Sequence, residues 1–274
     1  MPVYLDDSGG AGRKMTKNIC GTEVSYTLQG SGSGKLLLLH GWGCDGKLMQ
    51  PVADAFTDRF QVLIPDFPGH GKSGRPPEPW GVKEYAECIR TLLEETGFLP
   101  CSVIAHSFGC RVAAILAAEH PELFRKIIFT GGAGIRKTPS TEAQKRTEHY
   151  KKLRGLAESF GKIPLMHSAA EKMEDHLRKK YGSPDYNALD EEMRKTFVKV
   201  ISQDLTEYYS RFQSSTLLIW GDADTETPLW MGQKMEELIP DAGLVILEGG
   251  SHFAYLEQAT RFNLIANHFL KEEA

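Results

Sequence analysis

Residues 102–118 have the sequence SVIAHSFGCRVAAILAA, and this stretch decides which fold the chain can adopt. Residues 102–105 are a short apolar run with the length of a buried strand. Residues 108–118 are nearly all apolar, which predicts a helix that is covered on most of its sides. The turn between them, AHSFG at residues 105–109, places a serine between two small residues. The stretch therefore predicts a buried strand, a tight turn at Ser107 and a buried helix in direct succession.

The turn itself can be interpreted in two ways. In a nucleophile elbow, the strained backbone requires small residues two positions before and after the serine, and Ala105 and Gly109 meet this requirement. Such a turn presents the hydroxyl above the sheet and directs the N-terminus of the next helix at it, which favours developing negative charge. A serine between small residues can also simply cap a helix. The pentapeptide alone leaves both interpretations open.

Further apolar runs of strand length occur on both sides of this stretch. They cover residues 36–39, 61–64, 126–129, 216–220 and 244–247. Residues 82–93 carry apolar side chains at helical spacing, and helices are also expected after the last two strands. Alternating strands and helices with continuously apolar strands are typical of a parallel sheet that is covered on both faces. The sequence therefore predicts an α/β fold with a mainly parallel, doubly wound sheet.

The N-terminal region is less regular. Residues 1–21 are expected to form a mobile extension, because their first part is rich in Gly, Asp and Ser and shows no periodicity. Residues 22–29 have a strand pattern, and the GSGSG sequence at 30–34 is interpreted as a flexible hairpin connection to the next strand. A phosphate-binding loop is excluded there, since Gln29 and Leu36 occupy positions that require Gly and Ser or Thr.

The strand–helix alternation stops between residues 136 and 213. This segment contains 16 Lys and Arg and 12 Asp and Glu, for a net charge of +4, while the rest of the chain has a net charge of −8. Its apolar residues fall on helical faces, so we expect a helical lid inserted between two strands of a core formed by residues 22–135 and 214–274. The charges are interpreted either as a solvated surface or as a device that attracts an anionic substrate with an apolar body.

Composition, net charge and cysteine content exclude several classes of function. A chain of 274 residues with 41% hydrophobic and 25% charged residues has the average composition of a globular protein. A net charge of −4 argues against nucleic-acid binding, and no run approaches the roughly 18 apolar residues of a membrane span. Five cysteines without a CxxC pair favour reduced thiols over disulfides or a zinc site. Together with the lack of a secretory signal pattern, they lead us to expect a cytoplasmic protein that acts on a small molecule without a cofactor or metal.

Two later loops contain the partners that a nucleophilic serine needs. A serine hydroxyl becomes nucleophilic when a histidine accepts its proton and a carboxylate fixes the tautomer of that histidine. His252 lies in a loop just after the strand at 244–247, and Asp222 and Asp224 lie just after the strand at 216–220. The order serine, acid, histidine is the one used with nucleophile elbows.

With these residues in view, residues 22–272 resemble the α/β-hydrolase superfamily in its lid-bearing branch. Five motifs in order carry the resemblance: HGWG at 40–43, DFPGHGKS at 66–73, AHSFG at 105–109, GDADTETP at 221–228 and GSH at 250–252. The resemblance implies that Ser107 is the nucleophile, Asp224 the acid and His252 the base, with Asp222 as the rival acid.

The same resemblance implies an oxyanion hole formed by the backbone N–H groups of Trp42 and Phe108. It also implies structural roles for His40 and His70, and a position for His106 that points away from the reaction. Some relatives take the acid from the loop after the preceding strand, but residues 130–134 contain no carboxylate.

The expected activity is that of a serine hydrolase that cleaves a carboxylic ester or thioester through an acyl-enzyme. A C–C bond hydrolase or lyase with the same triad is the first alternative. A ligand receptor or signalling protein with slow turnover is an alternative from another class. Epoxide hydrolases and haloalkane dehalogenases are excluded, because they need an Asp at the position of Ser107.

Overall fold

The computed structural model describes residues 12–136, 141–161 and 166–273. Its strands are β1 (Arg13–Ile19), β2 (Thr22–Gln29), β3 (Gly34–Leu39), β4 (Phe60–Pro65), β5 (Cys101–His106), β6 (Phe124–Thr130), β7 (Ser215–Gly221) and β8 (Ala242–Leu247). They form one sheet in the order β1-β2-β4-β3-β5-β6-β7-β8. From β4 to β8 all neighbouring strands are parallel, and β1 and β2 are antiparallel to their neighbours. The mainly parallel α/β sheet is therefore confirmed.

Helices lie between most of these strands along the chain and after the last one. They are α1 (Gln50–Ala53), α2 (Val82–Glu95), α3 (Phe108–Glu119), α4 (Thr141–Gly161), α5 (His167–Tyr181), α6 (Pro184–Ala188), α7 (Glu191–Ser202), α8 (Thr206–Tyr209), α9 (Leu229–Leu238), α10 (Ala254–Glu257) and α11 (Ala259–Phe269). Leu37 and Leu39 of β3 belong to a core with α2, α3 and α9, while Leu36 and Leu38 belong to a second core with α1, α10 and α11. Alternate residues of a strand point to opposite faces, so the central strands are buried on both sides.

The structure corrects the extension that we expected over residues 1–21. Arg13–Ile19 form the edge strand β1, which pairs with β2 along its whole length. The turn between them consists of Cys20 and Gly21, both with positive φ angles (49° and 79°), as a two-residue hairpin requires. Since β1 is mostly exposed and polar, its sequence has no apolar alternation that would mark a strand. Residues 1–11 lie outside the described residues.

The hairpin expected around residues 30–34 is also wrong. Strand β4 lies between β2 and β3, so the GSGSG segment joins two strands that do not pair. The segment is held by the turn before β4: Ser31 N–H donates to the Thr57 carbonyl (3.1 Å) and Gly34 N–H to the Arg59 carbonyl (3.2 Å). A Cβ atom on Gly32 would lie 1.7 Å from the Arg59 carbonyl carbon, which explains the glycine there.

The chain divides into two compact units, one formed by Met1–Ile135 with Lys199–Ala274 and one formed by Arg136–Val198. The insertion between β6 and β7 is thus shorter than the expected 136–213. Residues after 198 belong to the first unit, since Leu205 N–H donates to the Gly134 carbonyl (2.9 Å) and the buried Arg111 guanidinium to the Gln203 carbonyl (2.8 Å).

Leu177, Met193 and Phe197 of the insertion are buried. Residues 136–198 contain 14 Lys and Arg against 10 Asp and Glu, so the net charge of +4 remains with the shorter boundaries. The role of the insertion as a lid stays a prediction. No helix in the described part of the chain is long and apolar enough to cross a membrane.

Candidate active site

Ser107 lies at a strained turn between β5 and α3. Its φ and ψ angles are 51° and −107°, and a positive φ is costly for a residue with a Cβ atom. Hydrogen bonds hold this conformation: Ser107 N–H donates to the Thr130 carbonyl (3.2 Å), and its carbonyl accepts from Ala133 N–H (3.2 Å). The side chain makes no capping hydrogen bond to α3. The geometry is that of an elbow, and the helix-cap interpretation is therefore wrong.

Gly109 explains why the turn needs small residues. A Cβ atom at this position would lie 2.6 Å from the Leu39 carbonyl oxygen, inside the neighbouring strand β3. Gly109 N–H also donates to the His40 carbonyl (3.1 Å). The start of α3 is thereby joined to the loop after β3, which contains the HGWG motif.

Asp224 is buried in the loop after β7, with 3% of its surface exposed. Its Oδ1 accepts from the N–H groups of Glu226 (2.8 Å) and Thr227 (2.9 Å), and its Oδ2 accepts from Thr227 Oγ1 (2.8 Å) and His252 Nδ1 (2.9 Å). Burial alone would raise the pKa of Asp224, but the hydrogen bond and charge of His252 and the bonds from Thr227 outweigh burial and lower it. The carboxylate is therefore held in its ionised form.

The rival acid Asp222 is exposed and has a different partner. Its Oδ1 accepts from Gly249 N–H (2.6 Å), at the start of the histidine loop. The two loops also meet directly, since Ala223 N–H donates to the Gly250 carbonyl (3.0 Å). Asp224, not Asp222, contacts His252, while Asp222 joins the acid loop to the loop that carries the histidine.

His252 lies next to the elbow. The ring of His106 is 4.7 Å from the ring of His252, and its Nε2 donates to the His252 carbonyl at 2.9 Å. Gly131 packs against the other side of the His252 ring, since a Cβ atom on Gly131 would lie 3.1 Å from His252 Nδ1. The carbonyl of the preceding residue, Thr130, accepts the N–H of Ser107. The structure therefore joins Asp224 to His252 and places the His252 loop against His106, the residue before Ser107.

His106 contacts His252 twice, with its ring and through the His252 carbonyl. Burial, followed by the nearby charge of His252, lowers the pKa of His106 to about 3. The neutral ring uses Nε2–H as its donor, and Nδ1, buried with no hydrogen-bond partner, faces Gly41. The sequence marks His106 only as a neighbour of the serine, whereas its bond to the His252 backbone joins the two loops.

The loop after β3 is held rigidly near the elbow. Phe67 N–H donates to His40 Nε2 (3.0 Å), and His40 Nδ1–H donates to the Gly41 carbonyl (2.7 Å). Burial lowers the pKa of His40 to about 4, so the ring is neutral and structural. The Trp42 ring lies 5.3 Å from the ring of Phe108. Phe108 is the first residue of α3, where an N–H group has no carbonyl partner within the helix.

Thr227 is a contact residue that sequence reasoning missed. Its hydroxyl touches both Asp224 and His252. The only signal in the sequence is its place three residues after Asp224 and directly before Pro228, which does not distinguish it from other loop threonines. In the described segments, no group of three His, Cys, Asp or Glu side chains is placed to hold a metal ion.

Comparisons with known proteins agree with this fold. A family model described as alpha/beta hydrolase fold matches residues 35–259. A pimeloyl-[acyl-carrier protein] methyl ester esterase from Chromobacterium violaceum is 26% identical, covering 83% of this chain and 90% of its own length. A 2-hydroxy-6-oxononadienedioate/2-hydroxy-6-oxononatrienedioate hydrolase from a Pseudomonas species is 28% identical, with coverages of 98% and 91%. The enol-lactonase of Burkholderia xenovorans has the same fold, with a TM-score of 0.72 at 19% identity over 94% of this chain and all of its own.

Proposed function

We propose that this chain, which belongs to the alpha/beta hydrolase family, is a serine hydrolase that cleaves a carboxylic ester or thioester through an acyl-enzyme on Ser107. The observation that supports the proposal is the hydrogen bond of 2.9 Å between the buried Asp224 and His252 Nδ1, with the His252 ring 4.7 Å from that of His106, the residue before the strained turn at Ser107. A serine, a buried carboxylate and a histidine that follow one another in this order along the chain are the parts of an acyl-transfer triad on a nucleophile elbow.

Acylation begins when Ser107 Oγ attacks the carbonyl carbon of the substrate and His252 Nε2 takes the hydroxyl proton. Asp224 keeps the Nδ1 proton of His252 in place and stabilises the imidazolium that forms. When the tetrahedral intermediate collapses, His252 returns the proton to the leaving alcohol or thiol. Water activated by the same histidine then attacks the acyl-enzyme and releases the carboxylic acid.

The oxyanion of each tetrahedral intermediate would be bound by the backbone N–H groups of Trp42 and Phe108. Gly109 N–H and the His40 carbonyl join the two segments that carry these groups. The helix α3 adds the positive end of its dipole at Phe108. Donors that are fixed before the reaction need no reorganisation as charge develops, and one such donor is worth roughly 3–4 kcal/mol of transition-state stabilisation.

The second candidate is hydrolysis of a C–C bond with the same triad. Support for it comes from the relative named as a 2-hydroxy-6-oxononadienedioate hydrolase, which matches nearly the whole chain. The two activities use the same protein groups, so they differ in the substrate rather than in the arrangement of Ser107, Asp224 and His252.

We further propose a substrate with an apolar body and a negative charge. The insertion carries a net charge of +4, and Lys151, Lys152, Leu156 and Phe160 of α4 are exposed together on one helix. The printed name of the Pseudomonas relative is that of a hydrolase for a dicarboxylate (dioate), which agrees with an anionic substrate for this chain. The alternative is that these lysines only solvate the helix.

The test is a set of p-nitrophenyl esters and matching thioesters of increasing acyl length, assayed on the wild type and on Ser107→Ala. We expect kcat/KM to depend on acyl length and to fall by roughly 10⁴–10⁶ in the variant. Retention of more than about a tenth of the activity in Ser107→Ala would overturn the nucleophile assignment. If a vinylogous diketone substrate is cleaved faster than every ester, the C–C hydrolase is favoured. If turnover is below about one per hour on all substrates, a ligand receptor or signalling protein with slow turnover is favoured.

Two esters in this set, one neutral and one with a distal carboxylate, test the charge of the substrate. Steering by the insertion predicts that the anionic ester is preferred at about 20 mM salt and that the preference fades towards about 500 mM as the Debye length shortens. Equal kcat/KM values for the two esters at all salt concentrations would show that the lysines only solvate the surface of the helix.

A further inference from the structure

The hydroxyl of Thr227 lies between the acid and the histidine. Thr227 Oγ1 donates to Asp224 Oδ2 at 2.8 Å and lies 3.2 Å from His252 Nδ1, and His252 Nδ1 is 2.9 Å from the same Oδ2. The three atoms therefore form a closed triangle. Thr227 and Asp224 are both buried, with 6% and 3% of their surfaces exposed, so little water can replace these contacts.

A hydroxyl group has one proton and two acceptor lone pairs. Because the Thr227 proton is given to the Asp224 carboxylate, a lone pair of Oγ1 faces the N–H of His252. The Nδ1 proton then has two acceptors, the carboxylate oxygen at 2.9 Å and the hydroxyl oxygen at 3.2 Å.

The position of this hydroxyl is fixed by the backbone around it. Thr227 N–H donates to Asp224 Oδ1 (2.9 Å), and the Thr227 carbonyl accepts from the indole N–H of the buried Trp220 (2.7 Å). Pro228, the next residue, further restricts the backbone of Thr227. The side chain of Thr227 is β-branched and therefore has few χ1 rotamers. The hydroxyl is thus held in the triangle by several independent contacts.

We propose that Thr227 is a positioning residue for the general base, an inference that rests on the triad of the proposed function. Its hydroxyl fixes the Oδ2 atom of Asp224 and supplies the second acceptor for the Nδ1 proton of His252. The contribution grows when the imidazolium forms, since hydrogen bonds that involve a charged partner are about twice as strong as neutral ones. The hydroxyl therefore stabilises the transition state more than the resting enzyme.

The experiment compares Thr227→Val, which replaces the hydroxyl by a methyl group of similar size, with Thr227→Ser, which keeps it. Activity is measured as kcat and KM with p-nitrophenyl acetate over the pH range, and thermal unfolding checks that both variants are folded. We expect Thr227→Val to lower kcat about tenfold with KM within about twofold, while Thr227→Ser keeps at least half of the wild-type kcat.

The pH profile separates positioning of the base from a general effect on the loop. Removing an acceptor of the Nδ1 proton makes the imidazolium less stable. The acid limb of the kcat/KM profile should therefore shift to lower pH by about half a unit in Thr227→Val and stay in place in Thr227→Ser. A kcat within about twofold of wild type in Thr227→Val, or equal losses in both variants with an unmoved acid limb, would overturn the proposal.

Ser107→Ala in the same assay distinguishes this proposal from the proposed function. If Ser107→Ala is inactive and Thr227→Val behaves as the wild type, the triad stands and only the role of Thr227 is wrong. If Ser107→Ala keeps its activity, the proposed function itself fails.

Discussion

Asp222 and Asp224 are separated by one residue in the same loop, and their surroundings give them different tasks. Asp224 is buried and accepts four hydrogen bonds, one of them from His252, while Asp222 is exposed and accepts the N–H of Gly249. The position after the strand now seen as β7 left both residues as candidates, and the family resemblance favoured Asp224. Their different burial and hydrogen bonds depend on contacts with the His252 loop, which the sequence alone does not show.

At the scale of single residues, Asp224→Asn should lower kcat by roughly 10³–10⁴. The amide cannot stabilise the imidazolium and favours the wrong tautomer of His252. Asp222→Asn is the matched control, with the same change of charge two residues away. It should cost less than about tenfold, because Asp222 is exposed and its hydrogen bond goes to Gly249 N–H rather than to the imidazole. Steady-state kinetics with p-nitrophenyl acetate measure both, and a larger loss in Asp222→Asn than in Asp224→Asn would contradict the assignment.

The elements that the sequence predicted best are those with a continuous apolar pattern. The strands β3 to β8 and the helices α2 and α3 follow directly from apolar runs and helical periodicity, and the strand–turn–helix around Ser107 is present as predicted. The edge strand β1 has no such pattern, because an exposed strand needs few apolar residues. The order of β2, β4 and β3 depends on contacts between distant segments, which is why a glycine-rich connection at residues 30–34 was mistaken for a hairpin.

At the scale of elements, Gly109→Ala should destabilise the junction between β5, α3 and β3. The added Cβ atom would lie 2.6 Å from the carbonyl oxygen of Leu39, and a backbone atom of a central strand cannot move away easily. We expect the free energy of unfolding to fall by about 1–3 kcal/mol in chemical denaturation.

Gly243→Ala in β8 is the matched control for this substitution. A Cβ atom there would have no atom outside the neighbouring residues within 4 Å, and the residue is exposed on the edge strand β8 of the same sheet. We expect this variant to unfold within about 0.5 kcal/mol of the wild type or to be slightly stabilised. Equal destabilisation in the two variants would show that close packing at Gly109 is not the cause.

For the molecule as a whole, three buried histidines link stability to pH. Burial lowers the pKa values of His40 and His70 to about 4 and that of His106 to about 3. In the unfolded chain they titrate near 6.5. Between these values the unfolded chain binds protons that the folded chain does not, so stability is complete above about pH 6.5 and is lost as the pH falls towards 4.

Chemical denaturation at pH 7.5, about 6 and about 5 measures this loss. Each of the three histidines can contribute up to about 1.4 kcal/mol per pH unit, and in this range unfolded carboxylates are still largely ionised. His106→Gln, which keeps a hydrogen-bond donor for the His252 carbonyl, should give a shallower dependence on pH. Stability that is the same at pH 7.5 and 5 would contradict the neutral, buried state of these rings.

The proposal that Ser107 is the nucleophile of an acyl-transfer triad is tested most directly by covalent labelling. The wild-type protein is incubated with a fluorophosphonate, and the intact mass and the mass of the peptide that contains Ser107 are measured. We expect one phosphonyl group per chain, located on Ser107, and no labelling of Ser107→Ala while that variant stays folded. Slower labelling in Asp224→Asn, but not in Asp222→Asn, would agree with activation through His252. A label on any other residue, or a label that persists in Ser107→Ala, would contradict the assignment.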